Sequence, residues 1–284
     1  MKRDEEKLTI TIMGAGGFAG TRILNNLVKT DFNLLICEIS PKGIEAIEER
    51  GLEVTAMEQA VPESDFTIMA VPDRLLGKIS HNVVPRMKSG STFILLDPAA
   101  AYAKEILLRN DCTFVVVHPC HPTLFGEYTT PEELYDKWGG VAANQDIVIA
   151  LIQGTEENYQ IAEEISKCMF APVEKAYRIT VEQMVLLEPA MVEVVAHPAI
   201  FLMKEAMEEA MKRGVPEEVV YSFMLGHINE AMWGIFTNND TISQAAFKAI
   251  DYGTERIIKE DWRRVFDERS IKEVLQKMLH PNEI

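Results

Sequence analysis

The sequence predicts an α/β chain in which a doubly wound, mostly parallel sheet is followed by an all-helical domain. Three observations carry that expectation. Short apolar runs alternate with helical patterns through about the first 178 residues, the strand signal then stops, and the first apolar run empties directly into a glycine-rich turn. The runs at 8–13, 33–38, 66–71, 92–97, 113–117, 147–152 and 172–177 read as strands. Helices are expected between them near 19–29, 41–50, 73–87 and 156–170, the last opened by Thr155 as N-cap with Glu156 and Glu157 in its first turn. Beyond residue 179 only helical patterns remain, at 181–213, 216–236, 241–250 and 254–279. Thr180 with Gln183 makes a capping box for the first of these, and Gly214 with Pro216 marks its stop. The expected domains are therefore 1–178 and 179–284.

The glycine-rich turn is the most informative element. In Leu8-Thr-Ile-Thr-Ile-Met-Gly-Ala-Gly-Gly-Phe-Ala-Gly20 a strand precedes the turn and a helix follows it. Gly14 serves the tight turn, and Gly16 lets backbone approach a pyrophosphate. Gly17, Phe18 and Ala19 open a helix whose N–H groups and dipole attract phosphate. Glu38 closes the second strand at the spacing, roughly twenty residues on, where a carboxylate meets the ribose hydroxyls. Such a carboxylate repels a 2′-phosphate, so the expected cofactor is NAD rather than NADP. Together these features predict a Rossmann dinucleotide-binding domain; read apart, the glycines serve only a turn and Glu38 only caps a strand. Ala70-Val-Pro-Asp73 follows the third strand, so Val71 and Pro72 join the cofactor-binding set through backbone contacts, with Asp73 expected as a helix N-cap.

Composition narrows the function classes. Lys plus Arg number 28 against 44 Asp plus Glu, a formal charge of -16, which argues against nucleic acid as a partner. No signal peptide is read in the charged opening residues, and no apolar run is expected to reach the length that spans a bilayer, so no membrane partner is expected and the expected location is cytoplasmic. Cys37, Cys112, Cys120 and Cys168 form no CxxC pair and are read as reduced thiols. The helix from Val181 to Met203 is apolar nearly all round, more than a domain of this size buries by itself, which predicts a homodimer.

Two clusters carry candidate chemistry. Val117-His-Pro-Cys-His-Pro122 places His118 and His121 at the carboxyl edge of the fifth strand, where alcohol oxidation needs a base of near-neutral pKa. The alternative is that these rings only cap loop carbonyls. Glu188, Glu193 and His197 interrupt the apolar helix, and buried ionisable groups need partners or a task. At about 100° per residue, Glu193 and His197 share a face while Glu188 lies roughly 140° from Glu193. A straight α-helix therefore does not gather all three; a salt bridge or an exposed strip is the plainer reading of each. His227 beside Gly226 is a candidate cleft residue or a buried carbonyl donor, and His81 and His280 are read as surface residues.

The GAGGFAG turn, the AVPD loop, LLDPAAAY, HPCHP and the helix Thr-Val-Glu-Gln-Met…Glu-Pro-Ala-Met-Val-Glu together resemble the 6-phosphogluconate dehydrogenase-like oxidoreductases, in the branch that couples oxidation to isomerisation. The resemblance spans nearly the whole chain. It implies a helical domain that builds a dimer, NAD as oxidant, and a sugar-acid substrate. The wider β-hydroxyacid dehydrogenases carry a catalytic lysine on the first helix of that domain, and here none precedes Lys204. The acid–base role then passes to His118 with Glu188; His118-Pro119 also resembles the His-Pro of prephenate dehydrogenases. An oxidoisomerase step implies a Lewis acid, for which His118 and Glu188, with His121 or Glu193, offer ligands to a divalent metal ion. The rival readings are a phosphogluconate- or prephenate-type dehydrogenase without isomerisation, and a non-catalytic NAD(H)-binding sensor.

Overall fold

The computed structural model describes residues 7–239 and 242–281. The charged opening residues and the expected helix start at 241 fall, respectively, wholly or nearly so and entirely outside them. The chain packs as two units: residues up to Val185 together with those from Lys272 onward, and the intervening Leu186–Ile271.

The first unit is built on one seven-stranded sheet. Its strands are β1 (Thr9–Met13), β2 (Asn33–Cys37), β3 (Phe66–Met69), β4 (Thr92–Leu95), β5 (Thr113–Pro119), β6 (Gln145–Gln153) and β7 (Val173–Arg178). They lie in the order β2-β1-β3-β4-β5-β6-β7. The first five are mutually parallel, β6 runs antiparallel to β5, and β7 is parallel to β6. Strand order reverses between β1 and β3, which makes their carboxyl ends the topological switch point where ligands of doubly wound sheets bind. All seven expected strands are present, and their alternate residues Ile10, Ile12, Ile68, Ile94, Val115, Val117, Ile147 and Ile149 form the core. Ile23, Leu24 and Leu27 of α1 (Phe18–Leu27) and Tyr159, Ala162, Ile165 and Met169 of α7 (Glu156–Met169) belong to the same core. As expected, Thr155 caps α7, its hydroxyl accepting from Asn158 N at 3.2 Å.

The reversal at β6 follows from the connection before it. Parallel neighbours need a crossover, usually a helix of a dozen residues or so, to carry the chain back across the sheet. Between Pro119 and Gln145 the only helix is the five-residue α6 (Pro131–Tyr135), so β6 re-enters from the carboxyl edge. The remaining helices of this unit are α2 (Pro41–Glu48), α3 (Met57–Glu63), α4 (Asp73–Val83), α5 (Ala99–Tyr102) and α8 (Val181–Val185). The short α3, α5 and α6 have no apolar period long enough to announce them in sequence. The unit also contains most of α12 (Glu268–Leu279), where Ile271, Leu275 and Leu279 recur every four residues and are buried. His280 Nε2 and Glu105 Oε1 meet at 2.8 Å, so His280 is not the plain surface residue expected. The division at Val185 and the return of α12 differ from the linear junction expected at 178/179: an apolar stripe outweighs chain order.

The second unit is helical. A π-helical segment Leu186–Ala196 leads into α9 (His197–Lys212), followed by α10 (Glu217–Phe236), α11 (Gln244–Ile257) and a 3-10 turn Trp262–Phe266. Pro189 explains the π segment, because it has no N–H to donate and its ring crowds the carbonyl four residues back. The expected break near Gly253 does not occur. One glycine costs about 1 kcal/mol in a helix, and α11 is capped by Ser243, whose hydroxyl accepts from Ala246 N at 3.2 Å.

Candidate active site

The turn after β1 is held to the neighbouring strand by Gly14 N and Ala15 N, which donate to Cys37 O at 2.9 and 3.2 Å. Gly14 has φ +75, and a Cβ there would strike the Ala70 carbonyl oxygen, so the loops after β1 and β3 meet backbone to backbone at the switch point. The helix α1 begins at Gly17 without a side-chain cap and without an acid in its first turn. The N–H groups of Phe18, Ala19 and Gly20 are thus the orphan donors of a helix start, at its positive dipole end.

Glu38 sits where the fingerprint places it, and the structure adds how it is held. Its Oε2 accepts from Gly16 N at 2.8 Å, and its Oε1 accepts from Ile39 N and Ser40 N, each at 2.8 Å. Burial pushes the Glu38 carboxyl up, but the N–H groups of Ser40, Gly16 and Ile39 and the Ser40 hydroxyl outweigh it and hold the group below its ordinary value. A carboxylate offers about four acceptor positions, and of the four donors the Ser40 hydroxyl is the one that a ribose hydroxyl can replace. The space a Gly16 Cβ would fill is occupied by Gly43 Cα, 2.6 Å away, and by Glu38 Oε2, 2.8 Å away. Gly43, in α2, is a partner that the sequence spacing did not single out. Val71 and Pro72 line the loop facing Gly14, with Val71 Cγ1 3.1 Å from where a Gly14 Cβ would stand. Asp73 is the first residue of α4 rather than its cap; Pro72 is the N-cap and Asp73 serves the helix dipole instead.

Both histidines of the HPCHP segment lie at the carboxyl edge of the sheet. His118, the penultimate residue of β5, donates from Nδ1 to Leu96 O at 2.9 Å, just past the end of β4. His121 donates from Nδ1 to Trp138 O at 2.9 Å. A carbonyl only accepts, so Nδ1 of each ring carries a proton, which leaves Nε2 as the nitrogen that can exchange one. The rings therefore do bond loop carbonyls, and that bond sets the tautomer a base needs. Their centroids are 6.2 Å apart. Burial, then the Asp146 carboxylate, pushes the Cys120 thiol between them up to about 11, so it stays protonated at neutral pH and is no nucleophile.

In the second unit the π geometry revises the facing of the acids. A π-helix closes its hydrogen bonds at i→i+5, so Glu188 and Glu193 stand one turn apart on the same face rather than roughly 140° apart. Both are half-buried, whereas His197 is exposed. His227 donates from Nδ1 to Phe223 O at 2.7 Å within its own helix; it is exposed, and a Cβ on neighbouring Gly226 would meet open space. Neither a close approach nor burial explains that pair. Among the described residues no three His, Cys, Asp or Glu side chains converge as a metal site, and His118 and Glu188 belong to different units.

Comparison with known proteins agrees with this architecture. Residues 126–279 match the phosphogluconate dehydrogenase (decarboxylating) C-terminal family, and residues 5–142 match the NADPH-binding domain of acetohydroxy acid isomeroreductase. The chain is 43% identical over 281 residues to D-apionate oxidoisomerase of Blautia hydrogenotrophica, covering 97% of this chain and 98% of the relative. It is also 43% identical to D-apionate oxidoisomerase of Pectobacterium atrosepticum, covering 96% of each. A crystal structure from Cupriavidus necator, described as a semialdehyde dehydrogenase NAD-binding protein in complex with calcium and NAD, superposes with a TM-score of 0.93 at 40% identity. That superposition covers 96% of this chain and 100% of the other.

Proposed function

The chain belongs to the D-apionate oxidoisomerase family of 6-phosphogluconate dehydrogenase-like oxidoreductases, and from that premise we propose that it oxidises a small polyhydroxy acid with NAD and couples the oxidation to isomerisation. The observation that carries the chemistry is the Nδ1-bonded His118 at the carboxyl edge of β4 and β5.

NAD, when bound, supplies the hydride acceptor. Gly14, Gly16 and Gly17 would let the turn approach the pyrophosphate, and the first N–H groups of α1 at Phe18 and Ala19 would donate to it; the Glu38 carboxylate would take a ribose hydroxyl and reject a 2′-phosphate; Val71 and Pro72 would shape the neighbouring loop. His118 takes the hydroxyl proton on Nε2 as the carbinol carbon loses hydride, and the Leu96 carbonyl stabilises the imidazolium that results. His121 presents a second Nε2, which accepts a hydrogen bond from another hydroxyl of the polyhydroxy acid. To Glu188, with Glu193 one π turn away, we assign the second acid–base role: it takes the proton of the hydroxyl that becomes a carbonyl in the isomerisation and returns it to the carbonyl oxygen that becomes a hydroxyl. The donor set does not form a metal site among the described residues, so no step is assigned to a divalent ion at His118 and Glu188.

We further propose a cytoplasmic homodimer. Contrary to the expectation that no apolar run reaches membrane-spanning length, the Val181–Lys212 helix continues through Pro189 and Pro198 for 32 residues with a mean hydropathy of 1.6 in its most apolar window, long and apolar enough to cross a membrane by those measures alone. Glu188 and Glu193 within it favour a protein partner over lipid, because carboxylates are costly in hydrocarbon. Ile200, Phe201, Phe223, Ile235 and Phe236 remain exposed on α9 and α10, an apolar surface that a second copy of the chain covers.

The test is a panel of D-apionate, linear aldonates, their phosphates and prephenate with NAD, following NADH absorbance for the wild type and His118→Ala. NADH formed by the wild type and lost in the variant supports the reading. Tight NADH binding without turnover across the panel would favour the sensor instead.

A further inference from the structure

The most specific arrangement outside the groups already assigned surrounds Trp138, in the connection that keeps to the carboxyl edge between β5 and β6. Its main-chain oxygen accepts the His121 Nδ1 proton at 2.9 Å, and its indole packs edge-on to the same imidazole, with centroids 5.2 Å apart at 87°. The indole also meets Phe18, the first residue of α1, with centroids 5.0 Å apart at 70°. Phe18 is itself covered by the Arg22 guanidinium, 4.0 Å from the ring centroid.

The segment that carries the indole is braced. Gly139 and Gly140 adopt φ +74 and +81, a conformation open to glycine, and Asn26 Nδ2 of α1 donates to Gly140 O at 3.0 Å. The buried Asp136 carboxylate accepts from Val141 N, Ala142 N and Ala143 N at 3.0, 2.8 and 3.2 Å. His121 has φ +61, left-handed backbone that only a few per cent of non-glycine residues adopt, here in a residue that precedes a proline. A ring on such backbone keeps one orientation only if its surroundings impose it.

We infer that Trp138 is a positioning residue for His121: one residue fixes the Nδ1–H tautomer through its carbonyl and the ring orientation through its indole, and ties both to the start of the phosphate-binding helix. The inference rests on the reading that His121 takes part in the reaction. A second nitrogen fixed by a hydrogen bond is what a base or ligand imidazole requires of its surroundings, and, by analogy with the outer-shell partners of metal-bound histidines, losing what orients the ring should cost about 10–100-fold in activity.

The experiment uses the full chain as Trp138→Ala, Trp138→Phe and His121→Ala. Nitrogen–proton correlation spectra of the imidazoles identify His121 by the signals missing in His121→Ala. Trp138→Ala keeps the main-chain carbonyl and removes only the indole, so it is expected to leave the Nδ1–H tautomer in place, to move and broaden the His121 ring signals as the imidazole loses its single orientation, and to lower kcat about 10–100-fold while leaving the KM for NAD in place. Trp138→Phe, which keeps an aromatic wall, restores both the ring signals and kcat. Unmoved His121 ring signals in Trp138→Ala, with His121→Ala inactive, would overturn the positioning role alone. Full turnover in His121→Ala would overturn the catalytic reading of His121 and with it the service Trp138 gives the reaction.

Discussion

Replacing Gly16 by alanine tests the cofactor cradle most sharply, because the new methyl has nowhere to go. Its Cβ would stand 2.6 Å from Gly43 Cα, 2.8 Å from Glu38 Oε2 and 3.1 Å from Gly43 C. Ordinary carbon contacts are about 3.5–4.0 Å, so the turn and α2 must part by about 1 Å. Gly43 cannot be made smaller, so the strain falls on backbone. Overpacking of this kind costs about 1–3 kcal/mol. The displacement also weakens the 2.8 Å bond from Gly16 N to the Glu38 carboxylate, and hydrogen bonds to charged groups contribute about 1.5–3 kcal/mol. Since each 1.4 kcal/mol or so is tenfold in affinity, NADH binding should weaken by about tenfold or more. Fluorescence titration with NADH reads the affinity, and thermal unfolding reads the strain, at about 2–4 °C per kcal/mol for a domain of this size. Because Glu38 is one of the two groups struck, Gly16→Ala and Glu38→Ala together should cost less than the sum of the two alone. A Gly16→Ala protein that binds NADH and unfolds like the wild type would refute the close packing of turn, carboxylate and α2.

Other perturbations test the remaining parts. His118→Ala should lower turnover by about 10²–10⁴-fold, the usual range for a lost general base, with little change in NADH affinity by the same titration. The Glu38 carboxyl is held low in the fold, so its contribution is complete above the unfolded value of about 4.3 and is lost only as pH falls through the lower folded value. NADH affinity should therefore hold down through the ordinary carboxylate range and decline only below about pH 4.3, while Glu38→Gln shows a flatter decline. Leu275→Ala, at a site 2% exposed on α12, should cost about 2–5 kcal/mol by denaturant unfolding. Phe236→Glu on the exposed apolar surface of α10 should shift sedimentation from dimer to monomer. A wild type that sediments as monomer at micromolar concentration would remove the dimer.

The sheet and its glycine turn were legible because each rests on local chemistry: apolar runs of strand length, Gly14 and Gly16 at fixed spacing, and an acid at Glu38. The antiparallel β6 was not, because strand direction depends on whether the connection crosses the sheet, and the 120–144 connection lacks the long helix that would show it. The return of α12 was hidden for a similar reason, since the stripe Ile271, Leu275, Leu279 states that a face is buried but not against what. Glu188 and Glu193 misled through an assumed period of 3.6; Pro189 was the signal of a register change, and only the backbone showed it to be π. Trp138 is a loop aromatic with no period at all. The two glycines after it were the available clue that the chain there is bent to hold something.

The most direct test of the central claim is the carbon skeleton of the product. Carbon-13-labelled D-apionate incubated with the protein and NAD, and followed by NMR as NADH appears, should give a product in which the carbon connectivity has changed, with one NADH formed for each rearranged molecule. NADH accompanied by a keto acid of unaltered skeleton would contradict the coupled oxidation and isomerisation.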